Sequence, residues 1–335
     1  MKTNLKIVAV ISIASAFSTA NYPAASLAMS LEPSHQVSPE QFWNLYESEF
    51  AIWRIQRNDT RGNRSAESPW TATHVPVGMG FVIRQNPLLL LTCYHVVSEG
   101  SESNSGNIVF AIGRRIKGDK EFNLLQAQVA FLLIKRILFK PEYDLAILEV
   151  DPTQSTEAHS KLDLGAASAD SFDIKSLDLD FDPAQRAVGT SVMWSTTGSP
   201  TGDQTHFALP PRFFTANIVT NYVTNVPYSA KSASGVSTEQ TMTGVRMFEV
   251  DKLMLPGTSG SAIVNVATNK VIGYAHAYRS FQIPSKTRVT EDVRIIPGLF
   301  SVKTNREVLT TNTLSLAVDL RNAEGYLKEL GYVSK

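Results

Sequence analysis

Residues 77–97 read VGMGFVIRQNPLLLLTCYHVV, and the fold class turns on them. VGMGFVI (77–83) and LLLLTC (88–93) are short apolar runs of strand length, too short for a buried helix. Similar runs recur along the chain: NIVFAIG (107–113), QVAFLLI (128–134) and DLAILEV (144–150), then SVMWST (191–196), NIVTNYV (217–223), VRMFEV (245–250), SAIVNV (261–266), VIGYAHAY (271–278) and GLFSV (298–302). An Asp- and Ser-rich stretch, 151–186, separates the two sets, and a stretch rich in Ser, Thr, Gly and Lys at 224–243 reads as a loop. A helix is expected from Asp319 to Leu330, with Leu320, Ala323, Leu327 and Leu330 on one face and Gly331 as its stop. Many short strands with one terminal helix imply an antiparallel barrel or sandwich and exclude a βαβ fold.

Upstream of the strands, residues 38–50 (SPEQFWNLYESEF) read as an amphipathic helix that docks on the body of the protein. Ser38 can cap it, Pro39 suits the first helical position, and Gln41 stands where a capping box needs it. Residues 58–70 are polar and turn-rich, a linker. At the head of the chain, Lys2 and Lys6 precede the apolar run IVAVISIASAF (7–17) and then small residues, and the first acidic residue is Glu32. That order is a secretory signal peptide, cleaved after Ala20 or Ala28, because the run is well short of the ~20 residues of a spanning helix.

The 335 residues carry 31 Lys+Arg against 31 Asp+Glu, so a broadly basic nucleic-acid binder is excluded. One cysteine, Cys93, allows no intramolecular disulfide and no multi-cysteine metal site. The chain contains no GxGxxG, P-loop or HExxH, and no cofactor or metal is expected.

Three segments carry chemistry: LTCYHVV (91–97) with His95, YDLAIL (143–148) with Asp144, and PGTSGSA (256–262) with Ser259. Each alone has a plain structural explanation: a strand-end histidine, a strand-capping aspartate, a glycine-serine turn. Together, in the order His–Asp–Ser, GMGF…LTCYHVV, DLAIL, PGTSGS and VIG resemble the trypsin/chymotrypsin-like serine proteases, nearest the HtrA/Deg-type and glutamyl endopeptidase branches and without a PDZ domain. An α/β-hydrolase would order its residues Ser, acid, His around GxSxG, which Gly260-Ser261 does not fit.

The resemblance implies two antiparallel six-stranded β-barrels, about 71–155 and 186–310, within a protease domain 71–335, with a C-terminal helix at 319–330. Residues 1–28 are the expected signal peptide and 29–70 a helical extension and linker. The site would lie between the barrels. His95 would take the proton of Ser259, Asp144 would hold the imidazole, and the N–H groups of Gly257 and Ser259 would form the oxyanion hole. Thr258 and Ala262 depart from the commoner Asn or Asp and Pro of the family, and Cys93 is read as a small buried hydrophobe.

The resemblance also places the specificity pocket at Leu253, Met254, Ala275 and Ala277. That implies an apolar pocket and cleavage after small or medium aliphatic residues. His276 stands one residue past the position where glutamyl endopeptidases carry their acid-reading histidine. It should therefore turn away from the pocket, either toward Asp144 or merely packed beneath the site. The expectation is an exported, periplasmic or secreted serine endopeptidase that acts on proteins or peptides through an acyl-enzyme, with no nucleic-acid partner and no membrane insertion once the signal is removed. A catalytically silent binding protein and an esterase with the same triad remain the alternatives.

Overall fold

A computed structural model of the protein describes residues 37–57, 72–101, 108–115, 129–151, 169–196, 212–231, 236–255, 257–296 and 300–333. The expected signal peptide and the 58–70 linker lie outside them. Helix α1 (Pro39–Ser48) begins with the capping box anticipated from the sequence: the Gln41 N–H donates to Ser38 Oγ at 3.2 Å and the Ser38 N–H to Gln41 Oε1 at 2.9 Å. The Gln41 side-chain amide also donates to the carbonyl of Val266 at 2.6 Å, and the Phe42 ring packs on Phe213, so α1 is tied to the second half of the chain.

Strand β1 (Glu49–Arg57) follows α1 without a break and corrects the reading of 29–70 as a helical extension and linker. It belongs to a barrel with β2 (Ala72–Arg84), β3 (Leu89–Cys93), β4 (Ile108–Arg115), β5 (Val129–Lys140) and β6 (Leu145–Val150). This barrel closes in the order β1-β2-β3-β6-β5-β4, so it starts at 49 rather than 71. Strand β3 is buried along its whole length because it is hydrogen-bonded to β2 and β6 on either edge and packed on both faces. A run of leucines there gains from burial at every position, and truncating Leu90 to alanine costs about 3 kcal/mol.

The second barrel consists of β7 (Ser191–Thr196), β8 (Arg212–Lys231), β9 (Ser237–Val250), β10 (Ala262–Asn265), β11 (Lys270–Ile296) and β12 (Phe300–Asp319), closed as β10-β11-β12-β9-β8-β7. All the ladders in both barrels are antiparallel. The fold is thus all-β with two closed six-stranded barrels.

Two expectations fail in this half. The stretch 224–243 contains paired strand, because β8 and β9 continue their ladder out to Lys231↔Ser237. Val226, Tyr228 and Ala230 alternate with exposed residues and bury one edge of that ribbon in the shared core. The terminal helix is also shorter than expected. Strand β12 runs to Asp319, whose carboxylate accepts from the Arg321 N–H and pairs with buried Arg186. A 3₁₀ turn follows, and then α3 (Glu324–Glu329). Leu320, Ala323 and Leu327 are all buried, as their spacing required, and join residues of both barrels in one apolar cluster.

Candidate active site

Strand β3 ends at Cys93 and passes directly into helix α2 (Tyr94–Ser101), so His95 sits in the first turn of a helix. Asp144 closes a 3₁₀ turn at Pro141–Tyr143 with left-handed backbone (φ 50°, ψ 42°), a conformation aspartate tolerates better than most residues. The two segments are fastened through the backbone. The Tyr94 N–H donates to the Asp144 carbonyl at 2.9 Å, and the His95 N–H donates to Asp144 Oδ1 at 2.9 Å.

The other carboxylate oxygen serves two imidazoles. His95 Nδ1 and His276 Nδ1 each lie 2.7 Å from Asp144 Oδ2. An ionised carboxylate only accepts, so both Nδ1 atoms carry hydrogen and donate. The Asp144 side chain is wholly buried, which alone would raise its pKa. The charge of His95 and the hydrogen bonds from His276 and His95 overcome that and hold it well below the usual carboxylate range. Burial lowers the His95 pKa, but the charge and hydrogen bond of Asp144 outweigh it and the net shift is upward. His276 therefore turns toward Asp144, the first of its two expected placements. A bulge between Ala275 and Ala277 in the β11–β12 ladder falls at this residue.

Ser259 and Ser261 stand in the same turn and are sharply distinguished. Ser261 is sealed from solvent, and its hydroxyl lies against Glu49 and the Ser195 carbonyl. Ser259 is half-buried, and its hydroxyl donates to the carbonyl of His276 at 3.1 Å rather than to His95. The turn is held by hydrogen bonds on either side: Thr258 N–H to the Leu255 carbonyl, Ser261 N–H to the Thr258 carbonyl, Gly260 N–H to the Ala275 carbonyl, and Met79 N–H to the Ser259 carbonyl at 2.8 Å. Gly257 and Gly260 both have positive φ, +85° and +88°. At Gly260 a Cβ would fall 2.2 Å from the Met79 carbonyl oxygen, so no other residue fits. Among the described residues, the N–H groups of Gly257 and Ser259 have no hydrogen-bond acceptor.

The family model of the trypsin-like peptidase domain matches residues 78–273, a span that takes in His95, Asp144 and Ser259. The chain belongs to the trypsin-like peptidase family. Among solved structures, Deg5 is 15% identical with a TM-score of 0.41, covering 71% of this chain and 83% of its own. The active form of the Rv3671c protease from M. tuberculosis is 15% identical with a TM-score of 0.42, covering 89% of each chain. No curated protein matches the sequence.

In this trypsin-like peptidase the residues expected to wall the pocket differ in burial. Met254 and Ala275 are buried in the apolar core of the second barrel beside Trp194 and Phe248, and Leu253 is exposed. The side chain of Ala277 lies outside the described residues.

Cys93, His95, Asp144 and His276 bring ligand-type atoms within 4.8 Å of one another. Their hydrogens are already committed, however: both Nδ1–H groups to Asp144 and the Cys93 thiol to the Ala275 carbonyl at 3.2 Å. Burial, and then the charge of Asp144, push the Cys93 thiol pKa well up, so it is no thiolate. The arrangement is a hydrogen-bond network centred on Asp144. Tyr228 also stands by the site, its ring 6.5 Å from that of His95 and 6.1 Å from that of His276. Sequence reading missed it because its ribbon looked like a loop; the alternation Val226, Tyr228, Ala230 was the available signal.

Proposed function

We propose that the protein is an exported serine endopeptidase in which Ser259 is the nucleophile, His95 the general base and Asp144 the residue that orients it. The observation that carries this reading is the His95 Nδ1–H bond to the ionised Asp144, which leaves Nε2 as the basic nitrogen beside a serine turn. A serine hydroxyl is a weak nucleophile near neutral pH and needs such a base. On this reading the Ser259 hydroxyl leaves the His276 carbonyl for that nitrogen when substrate binds, since catalytic hydrogen bonds are often not yet formed in the free enzyme. The attacked carbonyl then becomes an oxyanion, and the uncommitted N–H groups of Gly257 and Ser259 are suited to receive it. His95 passes the proton to the leaving amine, and water hydrolyses the acyl-enzyme by the same steps in reverse.

His276 acts through Asp144: its Nδ1–H donates to the same carboxylate oxygen that accepts from His95 and so helps hold the carboxylate that orients His95. Export follows from the charged, apolar and small-residue order of 1–28, and mass spectrometry of the exported protein should find a start near Asn21 or Met29. An intact Met1 there would contradict it. Reaction with a fluorophosphonate separates an active hydrolase from a silent binding protein, and cleavage of a peptide library separates a protease from an esterase.

A further inference from the structure

Glu49, the first residue of β1, reaches across to the chain just after Ser259. Its Oε1 accepts from the Ala262 N–H at 2.8 Å and lies 2.6 Å from Ser261 Oγ; its Oε2 meets the hydroxyl of Ser195 on β7. Ser261 Oγ is in turn 2.7 Å from the Ser195 carbonyl oxygen. The set holds four short contacts. With Glu49 ionised it holds three hydrogens: the two hydroxyls and the Ala262 amide. One contact would then be two oxygens facing each other with no hydrogen between them, a costly arrangement in a buried place.

A proton on Oε1 closes the set. Oε1–H donates to Ser261 Oγ, Ser261 Oγ–H to the Ser195 carbonyl, Ser195 Oγ–H to Oε2, and the Ala262 N–H still finds a lone pair on Oε1.

The surroundings agree. Glu49 is 3% exposed, and among the described residues no cation faces it. On β4, Arg114 lies over the Phe50 ring, on the other face of β1, and donates to the carbonyls of Tyr46 and Asp173. On α1, Glu47 is taken by Lys175. The neighbour on β2 is Phe81, and among the described residues the groups that hydrogen-bond it are Ser195 on β7, Ser261 just before β10 and the Ala262 amide that opens β10. Burial pushes the Glu49 carboxyl up to about 7, and those three hydrogen bonds offset only part of the rise.

We propose that Glu49 is carried in the folded protein as a neutral carboxylic acid, and that its proton fastens the segment following Ser259 to β1 and β7, so that the serine turn loosens as pH rises past neutrality. Glu49 is thus a positioning residue contributed by the N-terminal segment. Its bearing on activity rests on Ser259 being the nucleophile; its protonation does not.

The test compares the full chain with Glu49→Gln, which is neutral at every pH and can keep three of the four contacts. The folding equilibrium constant is measured by urea unfolding at pH 5 and pH 8. Relative to E49Q, the wild-type constant should fall on the order of fifty- to a hundredfold between the two. A ratio that stays constant, or rises, overturns the proposal. If E49Q does not fold, ¹³C carboxyl spectra of glutamate-labelled wild type decide: one resonance titrating near pH 7 upholds it, and all glutamates titrating below pH 5 overturn it. The wild-type to E49Q ratio of fluorophosphonate labelling rates should also decline from pH 6 to pH 8, with the His95 titration cancelling, and a flat ratio overturns the link to the turn. Absence of labelling in both proteins with the stability ratio moving as expected upholds the neutral acid and removes the nucleophile assignment instead.

Discussion

Asp144 and Glu49 are both carboxyl groups sealed inside the protein, yet the fold drives them in opposite directions. Burial alone raises the pKa of each. Asp144 meets three N–H donors, two of them on imidazoles that can carry positive charge, and it stays ionised. Glu49 meets two hydroxyls and one amide, with no cation among the described residues, and it rises to about 7. Partners decide the state of a buried acid more than depth does. An ionised group can hold a base in line for proton transfer, and a neutral one can tie strands together.

The largest expected effects fall on the Asp144 side. Asp144→Asn should lower kcat/KM by roughly 10⁴ with peptide substrates, because His95 is left in the wrong tautomer. Ser259→Ala or His95→Ala should lose as much or more, and combining them should add little. Residual turnover near the wild-type level in any of these would break the contrast, since Asp144 would then be only another buried acid.

Next in size is the turn between the two carboxyl groups. Gly260→Ala places a methyl group against the Met79 carbonyl and strains a positive-φ residue, which should destabilise the fold by roughly 2–4 kcal/mol in urea unfolding. A change below about 0.5 kcal/mol would show the turn to be freely adjustable.

The pH dependences sharpen the contrast further. The Asp144 pKa is depressed, so its contribution to stability is present above the usual carboxylate range and is lost as pH falls through its folded value. The Glu49 pKa is raised, so its contribution is full below about 4.5 and is lost as pH rises through about 7. Unfolding curves across this range should show the two slopes, and D144N and E49Q should each remove its own. Activity should rise with pH as His95 loses its proton, with the midpoint above the ordinary histidine value because its pKa is raised. The smallest effect is expected at His276→Ser: with one donor removed from Oδ2, His95 feels more of the Asp144 charge, and that midpoint should move up. An unmoved midpoint would reduce His276 to packing.

Much of this was legible in the sequence where local pattern and burial agree. The capping box at Ser38 and Gln41 is local chemistry, and the strand runs of 77–97 are apolar because both faces of β3 are covered. The three segments around His95, Asp144 and Ser259 could be picked out because the residue order was distinctive. Strand β1 was not legible: FAIWRI is a single short apolar run that follows a well-capped helix directly and stands apart from the strand runs that begin at Val77. The outer part of the β8–β9 ribbon was missed because one of its faces meets water, so its Ser and Thr content resembles a loop. Glu49 was invisible for a different reason. A glutamate at the end of an amphipathic helix reads as surface, and only tertiary packing brings Ser195, Ser261 and Ala262 to it. The pocket walls are harder to read, because sequence position fixes which face of a strand a residue occupies, but not whether that face opens on a cleft or on a barrel core.

The most direct test of the account is the site of covalent modification by a fluorophosphonate on the folded full chain, mapped by peptide mass spectrometry. One adduct, on Ser259, is predicted, and it should disappear in His95→Ala while Ser261→Ala remains labelled. An adduct on Ser261 or elsewhere, or a folded chain that takes up no reagent between pH 6 and pH 8, would contradict the assignment of Ser259 as the nucleophile served by His95 and Asp144.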